Sequence, residues 1–109
     1  MDYFMMCHSL ASKSHHSRFH HGSIVLHRRG NIVGRGCNRK RIHAEVSCVK
    51  NIPKYYNYEN LVVYVCRVNS TGGFMNSRPC ENCMTFMKEN GVSKVYFSDD
   101  VGFSKIVFR

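Results

Sequence analysis

The sequence has no long apolar run and no sign of export. No stretch approaches the roughly 20 apolar residues that a helix needs to cross a bilayer. The N-terminus lacks a basic segment followed by an apolar one, which a signal peptide would show. We therefore expect an intracellular, cytoplasmic protein. There is no internal repeat and no long low-complexity tract, and a length of 109 residues predicts one domain over residues 1–109.

Acidic side chains are scarce. Seven Asp and Glu residues stand against 16 Lys and Arg, which gives a formal net charge of +9. Such an excess favours polyanionic partners or a phosphate group on a small substrate. Because the same charge also keeps a small basic protein soluble, it does not select a ligand by itself.

The six cysteines do not indicate a disulfide framework, because structural disulfides belong mainly to exported proteins. Cys80 and Cys83 have the spacing of metal ligands. The other four lack that spacing, and we interpret them as small buried hydrophobic residues: Cys7, Cys37, Cys48 and Cys66.

Hydrophobic periodicity predicts strands interleaved with helices. The expected elements are a helix over 2–12, strands over 23–27 and 32–37, a helix from 42 to about 51, a strand over 61–68, a helix from 80 to about 90, and strands over 94–98 and 104–108. This order indicates an α/β protein with a mixed sheet covered by helices. The turn at 99–102 is too short for a crossover helix, so the last two strands should be antiparallel.

Three residues suggest a zinc site: His43, Cys80 and Cys83. A Cys-x-x-Cys pair at a helix start brings two sulfurs close together, because they lie about one turn apart. Free N–H groups and the helix dipole there stabilise thiolates, the metal-binding form. Three protein ligands and an open fourth position are usual for catalytic zinc, whereas a structural site is closed by a fourth ligand. The sequence leaves three candidates for such a ligand: Cys37, Cys48 and His21.

Glu45 is the candidate catalytic residue. It lies two residues after His43 at the same predicted helix start, from which its carboxylate could reach a metal-bound water and act as a proton shuttle. A glutamate in a first helical turn is common because of the dipole. The catalytic interpretation is favoured here because His-x-Glu together with Pro-Cys-x-x-Cys is the signature of zinc deaminases.

Residues 21 to 98 resemble the cytidine/deoxycytidylate deaminase superfamily. The segments 21–25 and 31–38 look like its first two strands, and 43–45 and 79–83 look like its two zinc motifs. The resemblance implies a three-layer cytidine-deaminase-like fold, in which a mixed five-stranded sheet carries helices on both faces. It also implies a homo-oligomer, either a dimer or a tetramer.

The same resemblance implies a set of site residues. Zn2+ would be the cofactor, held by three ligands: His43, Cys80 and Cys83. Glu45 would be the proton shuttle, Asn38 would contact the sugar of the substrate, and the Ala44 backbone N–H would bind the base, as would the backbone around Ser23. Two features depart from the family pattern: only four residues separate Asn38 from His43, and Arg78 precedes the Pro-Cys motif.

The expected activity is hydrolytic deamination of cytosine in a free (deoxy)nucleoside or nucleotide, which gives uracil and ammonia. A basic cluster around Asn38 favours a phosphorylated substrate; its members are Arg35, Arg39, Lys40 and Arg41. The first alternative is a nucleic-acid deaminase acting on tRNA adenosine or single-strand cytosine, suggested by the net charge and by Tyr55, Tyr56 and Tyr58. The second is a non-catalytic zinc-stabilised domain that binds a nucleotide or a partner, against which Glu45 argues.

A second metal site is conceivable in a histidine-rich segment, whose members are His15, His16, His20 and His21. No acidic or cysteine partner is adjacent in the sequence, so a solvated loop over 14–22 is the favoured interpretation.

Overall fold

The computed structural model describes residues 2–12, 20–27, 31–37, 49, 60–69, 71–100 and 102–108. The helices in these ranges are α1 (Tyr3–Ser12) and α2 (Glu81–Glu89). The strands are β1 (His20–Leu26), β2 (Ile32–Cys37), β3 (Leu61–Val68), β4 (Phe74–Met75), β5 (Val92–Asp99) and β6 (Gly102–Val107). No helix within the described ranges is long and apolar enough to span a membrane.

One mixed sheet organises the fold. Its strand order is β2-β1-β3-β5-β6, and the two-residue β4 pairs with β3 beside this path. β1 is antiparallel to β2 and β3, whereas β3 and β5 are parallel and are connected through α2. β5 and β6 are antiparallel. The five-strand mixed path and the antiparallel last pair confirm the prediction. β4 is an addition, between the predicted strand over 61–68 and the predicted helix from 80.

The start of β1 differs from the prediction. The strand begins at His20 rather than at Ser23, because His20 and His21 pair with Val68 and Arg67 at the end of β3. Backbone pairing in a ladder does not depend on the polarity of the side chain, so periodicity missed these residues. The predicted loop over 14–22 is therefore wrong for its last three residues.

Each face of the sheet carries its own core. The first face is covered by α1, and its buried residues are Cys7, Ala11, Ile24, Leu26, Cys66 and Val68. The second face is covered by α2, and its buried residues include Val25, Val63, Val65, Cys83, Met87, Val95 and Phe97. Successive residues of β1 and β3 alternate between the two cores, as side chains of a strand do. The helix–sheet–helix layering predicted from the family resemblance is therefore confirmed.

A bulge in β2 changes which side chains reach each face. Gly34 lies opposite Val25 and Ile32 lies opposite Leu26, so Val33 is an extra residue on β2. Val33 packs in the second-face core. Past the bulge, Arg35 lies opposite Ile24 and therefore belongs to the first face.

Gly22 allows α1 to lie directly on the sheet. A Cβ atom at this position would overlap the carbonyl oxygen of Cys7 and the backbone nitrogen of Ala11. These are backbone atoms of a packed helix, so relief requires the whole of α1 to move. We expect Gly22→Ala to lower the free energy of unfolding by about 3 kcal/mol, the upper end of ordinary overpacking, as measured by urea denaturation.

The matched control for this substitution is Gly73→Ala. An added Cβ at Gly73 would meet only the side-chain amide of Asn69, at 3.1 Å from its nitrogen. We expect a loss of no more than about 1 kcal/mol there, typical of a tight surface contact. Equal losses in the two variants would contradict the close approach of α1 to β1.

Candidate active site

The Pro-Cys motif lies at the edge of the sheet where two parallel strands end. β3 and β5 run in the same direction, so their carboxyl ends meet at one edge. After β3 the chain turns back as β4, antiparallel to β3, and then reaches Cys80 and α2. In open α/β sheets, ligands bind outside the carboxyl ends of the strands. The carboxyl ends of the parallel strands β3 and β5 form such an edge.

Cys80 and Cys83 occupy the first turn of α2. Cys80 is the N-cap residue, with extended backbone angles (φ −70°, ψ 165°), and its side chain makes no capping hydrogen bond. Its carbonyl oxygen accepts the N–H of Met84 at 2.9 Å, which starts the helix. Cys80 is exposed, whereas Cys83 is 3% exposed within the second-face core. One thiol therefore faces the solvent edge and the other faces the protein interior.

This pair of thiols fits the donor set of a zinc ion. Neither Cys80 nor Cys83 takes part in a disulfide. Thiolate ligands select zinc and other soft or borderline metals over magnesium and calcium. The unsatisfied N–H groups of a first helical turn favour the thiolate. The described part of the chain contains no cluster of three His, Cys, Asp or Glu side chains, and two of the proposed ligands lie within it.

The other zinc motif and the proposed sugar contact lie outside the described residues: Asn38, His43, Ala44 and Glu45. The described residue nearest to that motif is Val49, six positions after His43. Val49 is helical and 4% exposed, and it packs in the same second-face core as Cys83. Val49 therefore lies on the face that carries the cysteine pair, which is the face that a shared metal site requires.

Ser23 lies in the middle of β1 and is fully buried. It pairs with Gly36 of β2 on one side and Val65 of β3 on the other, and Val65 pairs with Phe97 of β5. Ser23, Val65 and Phe97 thus form a row across the second face, three residues before the carboxyl end of β3. Val65 and Phe97 of this row belong to the same core as Cys83.

Two arginines border the same edge. Arg67 follows Val63 and Val65 along the second-face side of β3, and it lies directly opposite His21 of β1. Arg78 is exposed, and its guanidinium carbon lies 5.7 Å from the centroid of the Phe97 ring. The sequence analysis missed Arg67, although a basic residue at the end of a buried strand was a visible signal.

The other residues singled out in the sequence do not gather on one face of the sheet. Arg35 belongs to the first face, away from the cysteine pair, and the rest of the basic cluster around Asn38 lies outside the described residues. His20 and His21 are consecutive strand residues and point to opposite faces, so they do not bind one metal together from β1. His15 and His16 lie outside the described residues.

Two of the remaining cysteines are structural. Cys7 and Cys66 are fully buried in the first-face core, and the Cys7 thiol donates to the Tyr64 carbonyl at 3.3 Å. This confirms their interpretation as small buried residues. On the same face, burial raises the pKa of Tyr64, and Tyr96, stacked on it at 4.7 Å between ring centroids, raises it further. Neither feature touches the cysteine pair.

Comparison with known proteins identifies the family. The family described as the cytidine and deoxycytidylate deaminase zinc-binding region matches residues 1–99. Among solved structures, a glutamate-to-glutamine mutant of Mycobacterium tuberculosis cytidine deaminase has a TM-score of 0.65 at 22% identity, covering 94% of this chain and 89% of that chain. The apo dCMP deaminase of cyanophage S-TIM5 has a TM-score of 0.70 at 20% identity, covering 89% and 79%. Mycobacterium leprae cytidine deaminase has a TM-score of 0.64 at 19% identity, covering 93% and 87%.

No curated protein matches the chain. The family match spans most of the sequence, including both zinc motifs, and the solved structures share the fold. The chain belongs to the cytidine and deoxycytidylate deaminase family.

Proposed function

We propose that residues 1–109 form one zinc-dependent deaminase domain, which hydrolyses cytosine in a free (deoxy)nucleoside or nucleotide to uracil and ammonia. The observation that carries this proposal is the placement of Cys80 and Cys83. They start a helix at the carboxyl end of β3, over the core that Val49 also enters. Family membership supports deamination as the reaction class.

The ligand set would be His43, Cys80 and Cys83. Two thiolates and one neutral imidazole contribute two negative charges, which offset the 2+ charge of the metal. When bound, zinc supplies Lewis acidity, which makes water nucleophilic near neutral pH.

The remaining proposed residues bind the substrate and move protons. The Glu45 carboxylate would take one proton from the attacking water and deliver it to the ring nitrogen N3 of the base, and would then carry the second proton of that water to the departing amine. The Asn38 amide holds the sugar, and the Ala44 N–H holds the base. The backbone around Ser23 would contribute from β1. Attack at C4 followed by loss of ammonia converts one cytosine and one water into one uracil and one ammonia.

Tracing the oxygen atom of the attacking water into the product tests this chemistry directly. We would run the reaction in water enriched in oxygen-18 and analyse the product by mass spectrometry. Hydrolytic attack at C4 places one heavy oxygen in each uracil formed. A uracil product without heavy oxygen would exclude a hydrolytic route.

Arg78 is the described residue best placed to favour a phosphorylated substrate. It is exposed, two residues before Cys80, and packs its guanidinium over Phe97. We expect Arg78→Ala to raise KM for cytidine 5′-monophosphates about tenfold, since a charge-assisted hydrogen bond contributes about 1.5 kcal/mol or more. KM for cytidine should be unchanged.

Arg35→Ala is the matched control, because Arg35 is an exposed arginine on the first face. It should leave both KM values unchanged. A parallel rise of KM for cytidine and its monophosphate in Arg78→Ala would contradict a phosphate-specific role.

A homo-oligomer, either a dimer or a tetramer, is part of this proposal. Large apolar side chains are exposed on β6, with Phe103 at 49% and Val107 at 44% exposure. β6 ends the strand order of the sheet. An apolar edge of this kind supports association with a second copy.

A further inference from the structure

The parallel pairing of β3 and β5 stops before the strands end. Its last pair is Val65 with Phe97, three residues before the end of β3 and two before the end of β5. The Ser77 hydroxyl oxygen lies at this point, 2.8 Å from the Ser98 nitrogen and 3.1 Å from the Val65 oxygen. Ser77 therefore bridges the two strands where they separate.

A second hydroxyl completes the junction. Ser98 Oγ donates its only proton to the Met75 carbonyl at 2.8 Å and accepts the Arg67 N–H at 3.2 Å. It also lies 2.9 Å from Ser77 Oγ. The Ser77 N–H donates to the Ser98 carbonyl at 2.8 Å. The two serines thus bind the segment after β4 to the ends of both β3 and β5.

Because both serines are buried, their hydrogen bonds favour one position of the Ser77 backbone. Ser77 is 3% exposed and Ser98 is fully buried. A hydroxyl removed from water is costly when it lacks a hydrogen-bond partner. Any shift of the Ser77 backbone would break several of these bonds at once, so the junction specifies one position for residue 77.

Little freedom remains between Ser77 and Cys80. The Arg78 N–H donates to the side-chain oxygen of Asn76 at 2.9 Å. Pro79 is buried, and its ring fixes its own φ angle. Because the two residues between them are constrained, the position of residue 77 also fixes the position of Cys80, the N-cap of α2.

We propose that the buried Ser77–Ser98 pair is a positioning device that holds the Cys80 thiol in the geometry required for zinc. The proposal rests on the proposed function, in which Cys80 is a zinc ligand. Ser77 acts through the backbone of residues 78–80 and contacts neither metal nor substrate. Supporting residues of this kind change metal affinity by about 10–100-fold when removed.

A matched variant separates positioning from general stability. Ser93 Oγ donates to the Leu61 carbonyl at 3.2 Å. This bond also joins β5 to β3, but at the opposite edge of the sheet from Cys80. Ser93→Ala therefore removes the same kind of bond between the same strands without touching the cysteine segment.

The experiment compares wild type, Ser77→Ala and Ser93→Ala. Zinc affinity is measured by competition with a chelator, the visible spectrum is recorded after loading with Co2+, and urea unfolding is measured on metal-free protein. We expect Ser77→Ala to weaken zinc binding at least tenfold and to shift the Co2+ absorption bands. Ser93→Ala should lower the stability of the metal-free protein while leaving zinc affinity and the Co2+ spectrum unchanged.

Each outcome decides the proposal. Wild-type affinity and an unchanged Co2+ spectrum in Ser77→Ala would overturn it, and so would equal losses of affinity in both variants. If Ser77→Ala does not fold, Ser98→Ala serves instead, because Ser77 then keeps its bonds to Val65 and the residue 98 backbone. In Ser98→Ala we expect a smaller loss of zinc affinity and a shift of the Co2+ absorption bands. Unchanged zinc affinity together with an unchanged Co2+ spectrum would overturn the proposal. A wild-type protein that binds neither zinc nor Co2+ would refute the proposed function itself.

Discussion

Replacing Glu45 with alanine is expected to lower the deamination rate by about a thousandfold, within the 10²–10⁴ range of positioned acid–base groups. Glu45 is proposed to carry protons and not to bind the metal, so the variant should keep one equivalent of zinc. The measurement is ammonia release at saturating substrate, with zinc determined on the same sample. Loss of rate together with retention of metal is the signature of a shuttle.

Glu81→Ala is the control for that experiment. Glu81 is an exposed glutamate in the first turn of α2, adjacent to Cys80. In the sequence, Glu81 is next to one proposed zinc ligand and Glu45 is two residues from another. We expect its loss to change the rate by no more than a few fold, the scale of a helix-dipole contribution. If Glu45→Ala kept near wild-type activity, the assignment of the shuttle would be wrong.

Cys83→Ala is expected to abolish both zinc binding and activity. A folded protein that binds zinc gains stability with zinc concentration, reaching about 4 kcal/mol when free zinc exceeds Kd a thousandfold. Cys83→Ala should lose this zinc-dependent gain, as measured by urea unfolding with and without the metal. The wild-type protein should show it in full.

Cys66→Ala isolates the metal effect from packing. Cys66 is fully buried like Cys83 but lies in the first-face core, on the other side of the sheet. Its truncation should cost about 1 kcal/mol through lost packing. The zinc-dependent gain should remain intact. A Cys83→Ala protein that was still stabilised by zinc as strongly as wild type would contradict the proposed ligand set.

Strong local signals made much of the fold predictable from the sequence. The near-continuous apolar run of β3 predicted a strand over 61–68, and the structure places its bounds at Leu61–Val68 as expected. The helix after the Pro-Cys motif was expected from residue 80, and Cys80 is its N-cap. The antiparallel pairing of β5 and β6 followed from the length of one turn. These features depend on residues close together in the sequence.

Other features depend on pairings that no local pattern contains. The bulge at Val33 moves Arg35 to the first face, because one extra residue in a strand exchanges the sides of all that follow. The sequence analysis had grouped Arg35 with the cations near Asn38. The position of a bulge is set by the partner strand, so charge clustering in the sequence could not reveal it.

The sequence predicted which residues of the candidate site could be zinc ligands, but not where those residues lie in the fold. Two zinc motifs identified the residues, whereas the Ser77–Ser98 junction joins residues 21 positions apart and resembles any pair of serines in sequence. The placement of Cys80 and Cys83 at the carboxyl end of β3 is a result of the fold. The assignments of His43, Ala44, Glu45 and Asn38 stay predictions.

The most direct test of the central claim is ammonia release by the zinc-loaded protein. The substrates would be cytidine, deoxycytidine, their 5′-monophosphates and an adenosine-containing RNA, each assayed before and after removal of zinc by a chelator. The account predicts turnover of a free pyrimidine nucleoside or nucleotide that disappears with the metal and returns when zinc is added back. Stoichiometric zinc with no release from any of these substrates would contradict it and favour a non-catalytic binding domain. Release from the RNA alone would contradict the proposed substrate class.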